Sequence, residues 1–155
     1  MTDDLFMKSL FFILTIAAFL QTTFLPINLV LIIIICRSVA YNETSNYYYA
    51  FFAGIILGLL SAHNLGFFGL VFLIIVKLAH IIRKLPITTN IFTIIIITFA
   101  LTYLTALMEL FFLKISLNLQ KIIIESLISL PVFVLIRIWE ERFIVRSDIK
   151  LKIRE

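Results

Sequence analysis

The sequence predicts an all-α integral membrane protein, a compact bundle of about six transmembrane helices with antiparallel neighbours and short loops. Three observations lead there. Hydrophobic residues make up 63% of the 155 and charged residues 14%, whereas soluble domains carry roughly 45–50% and about 25%. A chain of this size buries too little surface to hide that excess in a core, so the sixteen Phe and the runs Ile32–Ile35 and Ile94–Ile97 are expected to face lipid. Short polar interruptions cut the apolar sequence into lengths near the roughly 17–25 residues of a spanning helix.

The first helix is expected from Leu5 to Phe24. Asp3 and Asp4 precede it, Lys8 is its single positive flank and no small-residue cleavage pattern follows, so it reads as a retained helix rather than a secretory signal. The second runs from Pro26, which fits a first helical turn, to Tyr41. About 16 residues at 1.5 Å each reach only about 24 Å, against a hydrocarbon core of about 30 Å. It is expected to be either a short span whose Arg37 snorkels or a partial insertion. The polar run Asn42–Asn46 is a loop, and the third helix follows from Tyr47 to Ala62. His63, Asn64, Leu65 and Gly66 form a turn, the fourth helix runs from Leu65 to Ile82, and Pro86 ends it. The fifth is placed from Asn90 to Leu113 and the sixth from Leu119 to Trp139, with Pro131 expected to kink it. Residues 1–139 are thus a membrane-embedded helical domain, and 140–155 a short charged cytoplasmic tail, read as a solvated extension of the last helix.

The net charge of +4 would suggest nucleic acid on a soluble protein. Here the basic residues flank apolar stretches, the pattern that orients membrane proteins, so no nucleic-acid partner is expected. With six spans and the amino terminus inside, Lys8, Arg37, Arg83, Lys84, Arg137, Arg142, Arg146, Lys150, Lys152 and Arg154 all fall on the cytoplasmic side. Only Lys114 and Lys121 face outward, and both termini are cytoplasmic. Tyr47, Tyr48, Tyr49 and Trp139 then fall at the inner interface, where Tyr and Trp are favoured.

Few residues suggest chemistry. Gly54, Gly58 and Ala62 repeat every fourth position and make one small-residue face, with Gly66 and Gly69 beyond it. Such a stripe lets backbones approach closely in lipid, either inside this bundle or against another membrane protein. Thr98, Thr102, Thr105 and Glu109 share one face of the fifth helix. That face is expected to point inward, as a structural interior face, or to serve as a polar cavity or partner contact. Glu109 and Glu125 are placed near the outer ends of their helices beside Lys114 and Lys121, as interfacial ion pairs or as the mouth of a binding site. Lys77 and His80 are placed on one face of the fourth helix, Lys77 snorkelling or paired with a carboxylate. The single cysteine, Cys36, reads as a small buried hydrophobe. There is no nucleophile elbow, Walker loop, metal motif or haem motif, so neither an enzyme nor a bound cofactor or metal is expected.

The segment Phe52-Ala-Gly54-Ile-Ile-Leu-Gly58-Leu-Leu-Ser61-Ala62-His-Asn-Leu65-Gly66 resembles the signature of the rod shape-determining protein MreD family. That signature is an aromatic residue, Gly, three apolar residues, Asp, two apolar residues, Ser-Gly, two variable residues and Leu-Gly. Gly54, Ser61, Leu65 and Gly66 match it, whereas Gly58 stands at the family's Asp and Ala62 at its second Gly. The motif thereby loses its one ionisable group and keeps a small packing face. Gln21 and Pro26, the short second helix, and Pro131 ahead of Arg137 also fit the family layout. The resemblance implies a non-enzymatic inner-membrane subunit of the bacterial cell-elongation machinery, beside MreC, MreB and the peptidoglycan synthases. The competing expectation is the substrate-binding membrane component of an energy-coupling-factor vitamin transporter, with Glu109, Glu125 and Asn64 lining a site near the outer face.

Overall fold

The computed structural model describes residues 2–41, 43–61, 66–84 and 92–152. Among them lie six α-helices and no strand: α1 (Thr2–Thr23), α2 (Leu29–Ala40), α3 (Ser45–Leu60), α4 (Phe67–Arg83), α5 (Thr93–Leu113) and α6 (Leu119–Lys152). The expected Pro86 stop of the fourth helix and the Asn90 start of the fifth lie outside the described residues. α6 holds the apolar stretch Leu119–Trp139 and continues into the expected helical extension, to Lys152, as one helix of 34 residues, about 51 Å long at 1.5 Å per residue.

Successive helices run in opposite directions. Phe11 meets the ring of Phe52 at 6.0 Å, and Lys8 lines one pocket with Ser45 and Tyr48 near the helix starts, so α1 and α3 are parallel. His80, near the end of α4, meets Tyr47 at the start of α3. Phe67 at the start of α4 meets Phe112 at the end of α5. Asn28 reaches Glu125 and Cys36 reaches Ser129, so α2 and α6 run in parallel. The five-residue connection 114–118 then returns α6 antiparallel to α5. One end of the bundle consequently gathers Lys8, Arg37, Arg83, Lys84 and Arg137, and the other carries Lys114 and Lys121.

At the centre stands α2, which touches all five other helices. From Val30 to Val39 only Ile33 escapes full burial. The expectation of lipid-facing isoleucines therefore fails for Ile32, Ile34 and Ile35, which form the core with Leu31, Ala53, Ile75 and Val76. In the second run Ile94 and Ile97 are buried and Ile96 is 69% exposed. The helix also starts at Leu29 rather than Pro26, because Pro26 and the bends around it turn the chain into the bundle. Its twelve residues span about 18 Å. The surrounding helices behave differently: Phe12, Phe19, Leu59, Leu70, Leu127 and Leu135 are each more than half exposed. Among the described residues two helical segments, Thr93–Leu113 and Leu119–Trp139, are long and apolar enough to cross a membrane, and only 33% and 28% of their apolar windows are buried.

Candidate functional site

The helix pair α3–α4 is the most extensive contact in the bundle, and glycine makes it possible. A methyl group on Gly54 would fall on the Cα of Gly69, 2.5 Å from its nitrogen and 2.7 Å from the carbonyl carbon of Phe68. These are backbone atoms that cannot rotate aside, so the two main chains touch at Gly54 and Gly69. Gly58 is buried on the same helix. Ala62, the third member of the expected stripe, lies outside the described residues. Ser61 is half-buried and ends α3, its N–H donating to the Leu57 carbonyl at 2.9 Å. Gly66 was expected in the packing face, and the structure gives it another role. Its φ is +95° at the entry to α4, and a side chain there would meet nothing within 4 Å. It turns the chain in a left-handed conformation that only glycine adopts without strain. The residue that packs is Gly69.

The threonine face of α5 points inward. Thr98, Thr102 and Thr105 are buried and Glu109 is half-buried. Thr102 donates to the Thr98 carbonyl at 2.8 Å and Thr105 to the Leu101 carbonyl at 2.9 Å, the bond that satisfies a hydroxyl within its own helix.

Two buried polar clusters clasp the ends of α2. At its start Glu125, 2% exposed, accepts the Asn28 N–H at 2.8 Å, and Lys121 stands 3.8 Å from the same carboxylate. Gln21 accepts the Val30 N–H at 3.2 Å and donates to the Asn28 side chain at 3.0 Å. A helix leaves its first four N–H groups without partners, and at a buried end these must come from elsewhere in the protein. Glu125 and Gln21 supply two acceptors, with the negative charge at the positive end of the helix dipole. The ion pair of Glu125 with Lys121 is present, but it sits inside the protein against α2.

At the other end Arg37 is 3% exposed. It does not snorkel outward as expected, because Glu43 and Asn46 close over it. Its guanidinium donates to Glu43 at 2.8 Å and to the Asn46 side chain, and lies 4.8 Å from the ring centre of Tyr49. Asn46 donates to the Tyr41 carbonyl at 2.7 Å and lies 3.3 Å from Nε2 of His80. His80 is buried while Lys77 is exposed, so the two do not share an environment. The cation sits at the negative end of the α2 dipole, and its hydrogen bonds and aromatic face offset the cost of burying it.

The sequence reading missed the Arg37 cluster and the role of Gln21. A cation inside an apolar run, followed within ten residues by Glu43 and Asn46, was the available signal. The geometry holds helices together: close backbone contact between α3 and α4, and polar clasps at both ends of α2. Comparisons of the chain with family models, with curated proteins and with solved structures find no match.

Proposed function

We propose that the chain is a bacterial inner-membrane protein that crosses the bilayer six times with both termini in the cytoplasm. In this reading it is a non-enzymatic subunit of the cell-elongation machinery. It helps couple MreB filaments and MreC to peptidoglycan synthases and so maintains rod shape. Support for the membrane reading comes from the large apolar side chains exposed on all five outer helices, while Glu125 and Arg37 are clasped inside. The concentration of basic residues at one end supports an orientation with that end facing the cytoplasm. Helices shorter than the hydrocarbon, α2 above all, are accommodated because their ends meet protein rather than lipid.

The observation that carries the elongation role is the segment from Phe52 to Gly66, which resembles the MreD signature and supplies the close backbone contact of α3 with α4 through Gly54. The loss of the signature's carboxylate at Gly58 leaves a structural part for this segment. The vitamin-transporter reading needs Glu125 at an open mouth. Here that carboxylate is 2% exposed and bonded to the start of α2, and Asn64 lies outside the described residues. Depletion of the protein in a rod-shaped host tests the proposal. Rounding or swelling of the cells, with MreC recovered alongside the tagged chain, is the expected result. Normal rods with a new vitamin requirement would overturn it.

A further inference from the structure

Beside the Arg37 cluster, at the basic end of the bundle, three helices part to leave an open cleft of about 500 Å³. Val39, Ala40 and Tyr41 at the end of α2 form one wall, Arg83 at the end of α4 another, and Phe133, Arg137 and Glu141 of α6 the third. Residues 133, 137 and 141 recur every fourth position and so share one face of α6. The lining combines two arginines from different helices with Tyr41 and a short apolar surface from Val39, Ala40 and Phe133. Arg137 spends one donor, Nε, on Glu141 at 3.0 Å. That pair is exposed on both sides, 59% and 55%, so it is weak and exchangeable. A guanidinium has five donors in a planar fork, a geometry that matches phosphate.

The geometry points to a binding site for the phosphate of an anionic phospholipid headgroup. Arg83 and Arg137 bind the phosphate oxygens, and Phe133 with Val39 packs on the glycerol and upper acyl chains. Glu141 competes from within the protein: it holds Arg137 through Nε and is displaced when lipid enters. The level of the cleft fits. Trp139 lies one residue past Ile138 on the same stretch of α6, and Trp marks the headgroup region of a bilayer. Basic pockets between membrane helices on the cytoplasmic side hold lipid headgroups in this way. The inference rests on the membrane reading above and adds a ligand to it.

The test uses the full chain purified in a neutral detergent, with phosphatidylglycerol, phosphatidylcholine or inorganic phosphate added. Bound lipid is counted by native mass spectrometry and stabilisation is read as a shift in melting temperature. Phosphatidylglycerol is expected to bind saturably and raise the melting temperature, and phosphatidylcholine to do neither. Arg83→Gln and Arg137→Gln are each expected to weaken phosphatidylglycerol binding by roughly five-fold. Lys77→Gln and Lys114→Gln make the same charge change elsewhere and are expected to leave it unaltered. Glu141→Gln removes the competitor and is expected to strengthen binding, a gain that a misfolded variant cannot imitate. Equal retention of the two lipids, or equal loss from all four cation variants, would overturn the site. Inorganic phosphate matching the phosphatidylglycerol response would reassign it to a free anion and overturn the lipid. The membrane reading fails by a separate measure, a chain monodisperse without detergent, whichever lipid binds.

Discussion

A single hydrogen atom in place of a side chain sets the distance between α3 and α4. Gly54 has no room for a side chain, because the added carbon of an alanine would meet the backbone at Gly69 and Phe68. The reverse substitution is different in kind: a carbon on Gly69 would lie 3.6 Å from Phe51, an ordinary contact. The two partners of one crossing are therefore predicted to respond unequally. Gly54→Ala forces the helices apart and should destabilise by about 1–3 kcal/mol, the usual cost of overpacking. Gly69→Ala should be neutral or better, since alanine gains up to about 1 kcal/mol over glycine inside a helix. Gly66→Ala has open space but a φ of +95°, and should cost about 1–2 kcal/mol through backbone strain. Thermal melts of the three variants in one detergent read the order directly, and equal melting of Gly54→Ala and Gly69→Ala would contradict the crossing. Part of this was legible beforehand. The spacing of Gly54 and Gly58 marks a small face, but spacing along one helix does not identify the residue opposite, and Gly69 lies on the next helix. A stripe also does not distinguish a glycine needed for contact, such as Gly54, from one needed for φ, such as Gly66.

At the scale of the element, α2 shows why hydropathy alone misplaces a helix. Every residue from Leu29 to Cys36 is apolar, so no periodicity separates an inward face from an outward one. A helix that is apolar all round suits a lipid-exposed span and a buried core equally well. What decides its position is the pair of polar clasps. Glu125 lies 97 residues from Asn28, a separation no local pattern reports, whereas Arg37, Glu43 and Asn46 lie close enough in sequence to have been read together. The clasp at the start of α2 makes a further prediction. Glu125→Ala leaves the Asn28 N–H buried without an acceptor, at a cost of about 1–3 kcal/mol. Glu125→Gln keeps an acceptor oxygen and should cost less. Gln21→Ala uncaps Val30 and should also destabilise. The two alanine changes act on one helix end and are expected to deviate from additivity by more than about 0.5 kcal/mol in a double-mutant cycle. A Glu125→Ala protein melting with the parent would show that α2 does not depend on this carboxylate, and strict additivity would show that the two groups act on independent structures.

For the whole molecule, direction and charge have independent origins that agree. Alternation of the helices follows from ring contacts and hydrogen bonds between them, such as Phe67 with Phe112 and Asn28 with Glu125. The charge bias follows from the sequence. The two coincide, so that Lys8, Arg37, Arg83, Lys84 and Arg137 come to one end although they are scattered along the chain. The all-helical architecture and short connections were readable from the spacing of polar breaks, since each apolar stretch must pair its own backbone. The ring of five helices around a buried sixth was not, because it depends on which faces meet. If this bundle lies across a bilayer, its polar connections alternate between the two aqueous sides. Cysteine probes placed at Lys84 and at Lys114, in a chain whose own Cys36 is buried, are predicted to report opposite sides. A membrane-impermeant thiol reagent added to intact cells should label Lys114→Cys and spare Lys84→Cys until the membrane is opened, and tags on the two termini should behave like Lys84→Cys. Labelling of both cysteines from outside, or of neither, would remove α5 as a crossing helix. Since α5 is one of the two helices best suited by length and apolarity to span, the six-span arrangement would not survive its loss.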